Sequence, residues 1–224
     1  MSLSRFDRIA PWSGAIAGVA WVAQDALAQF REDDAPGGGT VAYIADHLAT
    51  NVAASLCLVV MAIALLFFAA TLRTTLRDSE GVVGTFSGVA YGGWLVAVAG
   101  AAQMLVWNMS LIHGVPAGAD TALHTLDYVA YFAWDAVAIG VAGAFIATGL
   151  GIVTGAALPR WFGIVTLVLG VLGALGAAGI PPGGMVSYVL LPFWLVAVSI
   201  MMARRQRRSR AGAPAPHHDT ATVA

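Results

Sequence analysis

The sequence predicts an all-α membrane protein, a six-transmembrane-helix bundle with both termini cytoplasmic. Three observations carry this: the composition, the number of long apolar runs, and the placement of arginine. Of the 224 residues, 59% are hydrophobic and only 10% are charged, with 26 glycines and no lysine. Mean hydropathy is +0.80. Soluble domains carry about 25% charged residues, so this chain is built to dissolve in lipid. The net charge of −1 says little about partners, because the charges are segregated along the chain. The single cysteine, Cys57, lies inside an apolar run. It makes no internal disulfide and no zinc-finger spacing, and reads as a small buried hydrophobe.

A bilayer core of about 30 Å takes roughly 20 apolar residues per helix. Stretches at about 9–30, 47–72, 82–109, 122–155, 161–180 and 186–203 meet this requirement. The connectors at 31–46, 73–81, 110–121, 156–160 and 181–185 carry breakers or charge, such as Pro36, Arg77, Pro116, Pro159 and Pro181-Pro182. The fourth run exceeds the length needed, so its first turns are expected to lie at the interface or the helix to tilt. Residues 1–208 then form one transmembrane domain and 209–224 a disordered cytoplasmic tail with repeated Ala-Pro steps. Ala26-Leu27-Ala28 resembles a signal-peptidase site, but Trp21, Gln24 and Asp25 end the preceding run poorly for that purpose. The first span is read as uncleaved.

Arginine placement sets the orientation. Arg5 and Arg8 precede the first span, Arg73 and Arg77 follow the second, Arg160 lies between the fourth and fifth, and Arg204 to Arg210 follow the sixth. The opposite loops hold only Arg31, beside Glu32, Asp33 and Asp34. Six spans agree with that parity. Trp12, Trp107 and Trp161 stand near span ends, where interfacial tryptophan is common.

The polar residues inside the spans gather in the outer halves of spans 1–4. Gln24 and Asp25 close the first span, and Asp46, His47 and Asn51 open the second. Gln103, Trp107 and Asn108 close the third, while His124, Asp127, Tyr128, Tyr131 and Asp135 enter the fourth. His47 and Asn51 are four apart, as are Asp127 and Tyr131, so each pair shares a helix face. At about 1.5 Å per residue, Asp135 is expected roughly 12 Å deeper than Asp127, near the bilayer midplane. Intramembrane carboxylates are costly and mark functional sites by default. No Lys or Arg lies within a span, so each carboxylate must be neutralised, pair with a histidine, hold a cation or face water. The bland readings are a carboxyl that only fixes helix packing, and Tyr128, Tyr131 and Trp134 as interfacial aromatics.

The inner halves carry small residues four apart: Gly14 and Gly18; Gly84, Gly88 and Gly92; Gly143, Ala147, Gly151 and Gly155. Such spacing lets helix backbones approach closely in lipid. The expectation is a bundle sealed on the inside and open to a polar vestibule on the outside.

The leading functional reading is a non-enzymatic protein with an outward-facing polar pocket in spans 1–4. It binds a small molecule or ion, with proton-linked transport as its extended form. Asp135 is the deep titratable group, and Asp25, Asn51, Gln103, Tyr131 and Asp127 complete the ligand- or proton-binding set. An alternative is an intramembrane metal-dependent hydrolase or a haem-bearing redox subunit. His47 and His124, with Asp25 and Asp127, are zinc-ligand types, and two histidines on two spans are a haem pair. No HExxH spacing accompanies them. The third reading is an accessory subunit of a membrane complex, or a homo-oligomer, with no site of its own. There is no P-loop and no dinucleotide fingerprint. The arginine run is a topology anchor that attracts anionic lipid and is too short to argue for nucleic acid. No internal repeat is visible, which weakens the transporter form.

The segment Leu158-Pro159-Arg160-Trp161-Phe162-Gly163 through Gly170, followed by a last span and an arginine cluster, and the segment from Leu72 to Gly88, together resemble a group of small uncharacterised multi-pass membrane proteins of high-GC actinobacteria. The resemblance covers roughly residues 10–208 in layout. It implies a six-helix protein of the bacterial plasma membrane and carries over no catalytic residue.

Overall fold

The computed structural model describes residues 9–28, 40–81, 83–117 and 120–211. Among them the chain is helical, with no strand. A short 3-10 turn, Ala10–Trp12, leads into α1 (Ser13–Ala28). Then come α2 (Thr40–Asp46), α3 (Leu48–Glu80), α4 (Thr85–Gly114), α5 (Asp120–Tyr131), α6 (Trp134–Gly155), α7 (Arg160–Ala177) and α8 (Gly183–Ala211). Five helical runs are long and apolar enough to cross a membrane: Leu48–Glu80, Thr85–Gly114, Ala122–Gly155, Arg160–Ala177 and Gly183–Arg208. The remaining long helix, α1, has 16 residues as described.

Three boundaries differ from the expected ones. The second span does not stop as a helix at residue 72; α3 runs on to Glu80, carrying Arg73 and Arg77 on helical turns. Apolarity ends where a span ends, but the backbone hydrogen bonds continue into water until Gly81, at φ 73°, breaks them. The fourth run is two helices, not one. Around Phe132 and Ala133 the ladder tightens to i−3 bonds, with Phe132 N–H donating to Val129, Ala133 N–H to Ala130 and Asp135 N–H to Phe132. The last helix continues through the arginine run to Ala211, so 209–211 are helical; the rest of the expected tail lies outside the described residues.

The six long helices α1, α3, α4, α6, α7 and α8 pack each on the next, and α8 packs back on α1. The result is a closed ring. Its axis is filled by aromatic side chains from five helices: Phe68 (α3), Trp94 (α4), Phe145 (α6), Phe162 (α7) and Trp194 (α8). Trp194 is the hub, with ring centroids 4.4 Å from Phe145, 5.8 Å from Trp94, 5.9 Å from Phe162 and 6.0 Å from Phe68. These spacings suit aromatic pairs. The Trp194 indole N–H donates to Thr166 Oγ1 at 2.8 Å, satisfying a polar group inside the core.

Glycine and alanine allow the ring to close. A Cβ on Gly93 would stand 2.6 Å from the backbone nitrogen of Ala144, and one on Gly100 2.6 Å from Val137 N. Gly149 and Gly163 bring α6 and α7 together in the same way. Gly14 and Gly18 meet α8 at Ser199 and Pro192. The expected inner motifs behave unevenly: Gly151 and Gly155 pack against Glu80 and Ser79, whereas Gly88, Gly92 and Gly143 face open space.

At the end of the ring opposite the arginines, α2, α5 and the end of α4 form a small apolar cluster of Ile44, Leu111, Ile112 and Leu123. This cluster seats α5 with Leu123 and Asp127 inward and His124 and Tyr128 outward.

Candidate functional site

A stripe on α1 points at α8. Gly14, Gly18, Trp21 and Asp25 are spaced four, three and four apart, so they share one helix face. The two glycines remove the side chains that would hold the helices apart. Two turns later the stripe ends in a large ring and a carboxylate. The register brings Asp25 opposite Tyr188, whose hydroxyl donates to Asp25 Oδ1 at 2.5 Å. That distance is at the short end for an O–H···O bond.

The break before α6 brings in the third helix. Trp134 opens α6 and reaches Trp21 and Tyr188 across the ring axis. The three rings meet edge to face, with centroids 4.8 Å apart for Trp21–Trp134, 4.8 Å for Trp21–Tyr188 and 4.7 Å for Trp134–Tyr188. Trp21 is only 2% exposed, while Trp134, Tyr188 and Asp25 are half-buried. Gln24 beside Asp25 is also buried. The candidate site is therefore a carboxyl group held by the hydroxyl of one ring in a cluster of three edge-to-face aromatics. Oδ1 is engaged by the tyrosine. The arrangement suits a ligand bearing a hydrogen-bond donor or a positive charge, since ring faces attract cations and a carboxylate accepts from donors.

The other sequence candidates do not join it. Asn51 Nδ2 donates to the His47 carbonyl at 2.9 Å, within its own helix. Gln103 and Asp135 are exposed. Asp135 lies in the first turn of α6, about 30 Å from Gly155 at the other end of that helix. Among the described residues no hydrogen bond links any two of Asp25, Asn51, Gln103 and Asp135. Asp127 is 3% exposed and belongs to α5. The Tyr131 side chain lies outside the described residues.

The histidines are also apart from it. The His47 ring stacks on Tyr43 at 4.4 Å and 16°, and its Nδ1 lies 3.1 Å from the Tyr43 carbonyl. His124 is exposed on α5. No group of three His, Cys, Asp or Glu side chains with metal-binding geometry occurs among the described residues. So His47 and His124 gain no third ligand there for zinc.

Among the described residues, cavities lie elsewhere. One of about 300 Å³ is an apolar groove between α1 and α3, lined by Ile9, Ile16, Ile63 and Phe67 among others. One of about 190 Å³ lies where Glu80 and Thr85 meet Gly155. One of about 390 Å³ lies between α3 and α4 at Arg73 and Tyr91.

Asp25 was legible in the sequence as an acid in an apolar run. Tyr188, in the last span, carries no charge or motif that marks it as a partner of Asp25. Trp21 gave no signal beyond its four-residue spacing to Asp25. No family model, no curated protein and no solved structure matches the chain.

Proposed function

We propose that the chain is a six-span protein of a bacterial plasma membrane, with both termini cytoplasmic, that binds a small cationic or donor-bearing molecule from the outer side at Asp25. Helical apolar runs support the membrane reading. The described arginine side chains support the orientation. Arg73, Arg77, Arg160, Arg204, Arg205, Arg207 and Arg208 all stand at one end of the ring, where Arg205 Nη1 donates to the Thr75 carbonyl at 2.8 Å. An excess of arginine marks the cytoplasmic face. Asp25 then belongs to the outer end. The likeness of the Leu158–Gly170 segment to small actinobacterial membrane proteins agrees with this placement.

The observation that carries the reading is the Asp25–Tyr188 bond beside the Trp21–Trp134 pair. It joins three helices from opposite sides of the ring at a half-buried carboxylate. A ligand cation would lie against the rings and take the carboxylate as its counter-charge. Exchange of that cation for a proton at the same carboxylate is the transport form of the reading. The aromatic hub around Trp194 fills the axis below, which disfavours an open channel.

The test is thermal unfolding of the purified full chain in detergent, with a panel of organic amines, quaternary ammonium compounds and alkali cations. A stabilising compound that loses at least ten-fold in affinity in Asp25→Asn, and less in Asp135→Asn, supports the site. A stabilising compound whose affinity is unchanged by Asp25→Asn contradicts it. A stoichiometric protein partner that co-purifies and buries Asp25 would favour the accessory-subunit reading instead.

A further inference from the structure

At the arginine-rich end, α3 and α4 diverge around a cavity of about 390 Å³ lined by Ala70, Arg73, Thr74, Arg77, Asp78 and Tyr91. Arg73 and Arg77 are four apart on α3, so their guanidinium groups project from one helix face. The apolar run of α3 ends at Leu72, which puts Arg73 at the boundary between hydrocarbon and headgroups and Arg77 one turn, about 5.4 Å, beyond it. Across the cavity, Arg73 Cζ lies 5.2 Å from the centre of the Tyr91 ring. That contact holds one guanidinium over the opening at low conformational cost. Arg77 lies along Gly84, which has no side chain to displace it. On α4, Gly88 and Gly92 flank Tyr91 and have open space where side chains would stand.

We infer that this cavity is a binding site for the phosphate of an anionic phospholipid headgroup. Two guanidinium groups present forked donors that match phosphate oxygens, with Tyr91 in the same lining; the Thr74 hydroxyl donates to the Ala70 carbonyl of its own helix. Asp78 in that lining disfavours a high net negative charge and suits a single phosphodiester better than a dense polyanion. Basic pockets between membrane helices on the cytoplasmic side are the surfaces that take anionic headgroups. The inference rests on the membrane reading but not on the Asp25 site.

The experiment uses the full chain in a mild non-ionic detergent. Phosphatidylglycerol, phosphatidylcholine or inorganic phosphate is titrated in, and bound lipid is counted by native mass spectrometry alongside thermal unfolding. Phosphatidylglycerol is expected to bind and stabilise, with an apparent affinity at least ten-fold weaker in Arg73→Gln/Arg77→Gln. Tyr91→Leu is expected to weaken it by about two- to five-fold. Arg160→Gln, at the start of α7 and outside this lining, is expected to leave it within two-fold. Equal binding of phosphatidylglycerol and phosphatidylcholine, or no loss in the Arg73/Arg77 double variant, overturns the site. Stabilisation by inorganic phosphate alone, lost in the same double variant, overturns the lipid assignment in favour of a free anion. If the double variant fails to fold, Arg77→Gln alone is read on the same titration.

Discussion

Asp25 has one partner that the fold supplies, the Tyr188 hydroxyl at 2.5 Å, and losing it leaves a half-buried carboxyl with an empty coordination direction. Tyr188→Phe is expected to destabilise by about 1–3 kcal/mol, the usual cost of orphaning a buried polar group. Asp25→Asn with Tyr188→Phe should cost less than the sum of the two, with a coupling of about 0.5–3 kcal/mol. Thermal unfolding of the four proteins in one detergent measures this, and strict additivity would separate the two residues energetically. The core offers a second residue-scale case. Thr166 Oγ1 accepts from Trp194 and donates to the Phe162 carbonyl. Thr166→Val keeps the shape but strands the indole N–H, so a loss of about 1–3 kcal/mol is expected, measurable in the same assay.

Helix contacts depend on which glycines face a neighbour. A side chain at Gly93 would run into the backbone of Ala144 and Gly140, and one at Gly140 into Ala97. Gly93→Val and Gly140→Val are expected to cost about 1–3 kcal/mol or more from overpacking. Gly92→Ala and Gly143→Ala meet open space and should change stability by no more than about 0.5 kcal/mol. A reversed order would overturn the α4–α6 interface. This contrast was only half legible in the sequence. Spacing of four marks a close-packing face, but a helix rich in glycine carries that spacing on more than one face. Spacing of four picks out Gly88, Gly92 and Gly143, whereas the packed register runs through Gly93, Gly100 and Gly140. The Phe132–Ala133 break was equally hidden. No proline or glycine marks it, and only the excess length of the fourth run hinted at it. The extension of α3 to Glu80 was missed because charge ends a membrane span without ending a helix.

The whole molecule is a ring whose last helix returns to its first, and that closure makes the site. Asp25 and Tyr188 are 163 positions apart, and Trp134 reaches them across the axis. Helical periodicity sorts residues within one helix and carries no information on which faces meet. The sequence therefore predicts acids at the span ends away from the arginines, and a pocket of Asp135, Asn51 and Gln103 with Asp25. In the fold, Asp25 bonds to Tyr188, which packs with Trp21 and Trp134, and Asp127 is buried on α5. The composition predicts a helical membrane protein, because long continuous apolar runs suit α-helices, which satisfy their own backbone in lipid, and five of the described helical runs are long and apolar enough to cross a membrane.

The central claim is that Asp25 lies at the outer end of a membrane bundle, open to ligand from that side. Cys57 is the only cysteine in the chain, so Asp25→Cys in a Cys57→Ala background reports on one position. Sealed right-side-out and inside-out vesicles are treated with a charged, membrane-impermeant thiol reagent. The proposed site predicts modification of the thiol introduced by Asp25→Cys in right-side-out vesicles. Modification only in inside-out vesicles, or in neither, would contradict it.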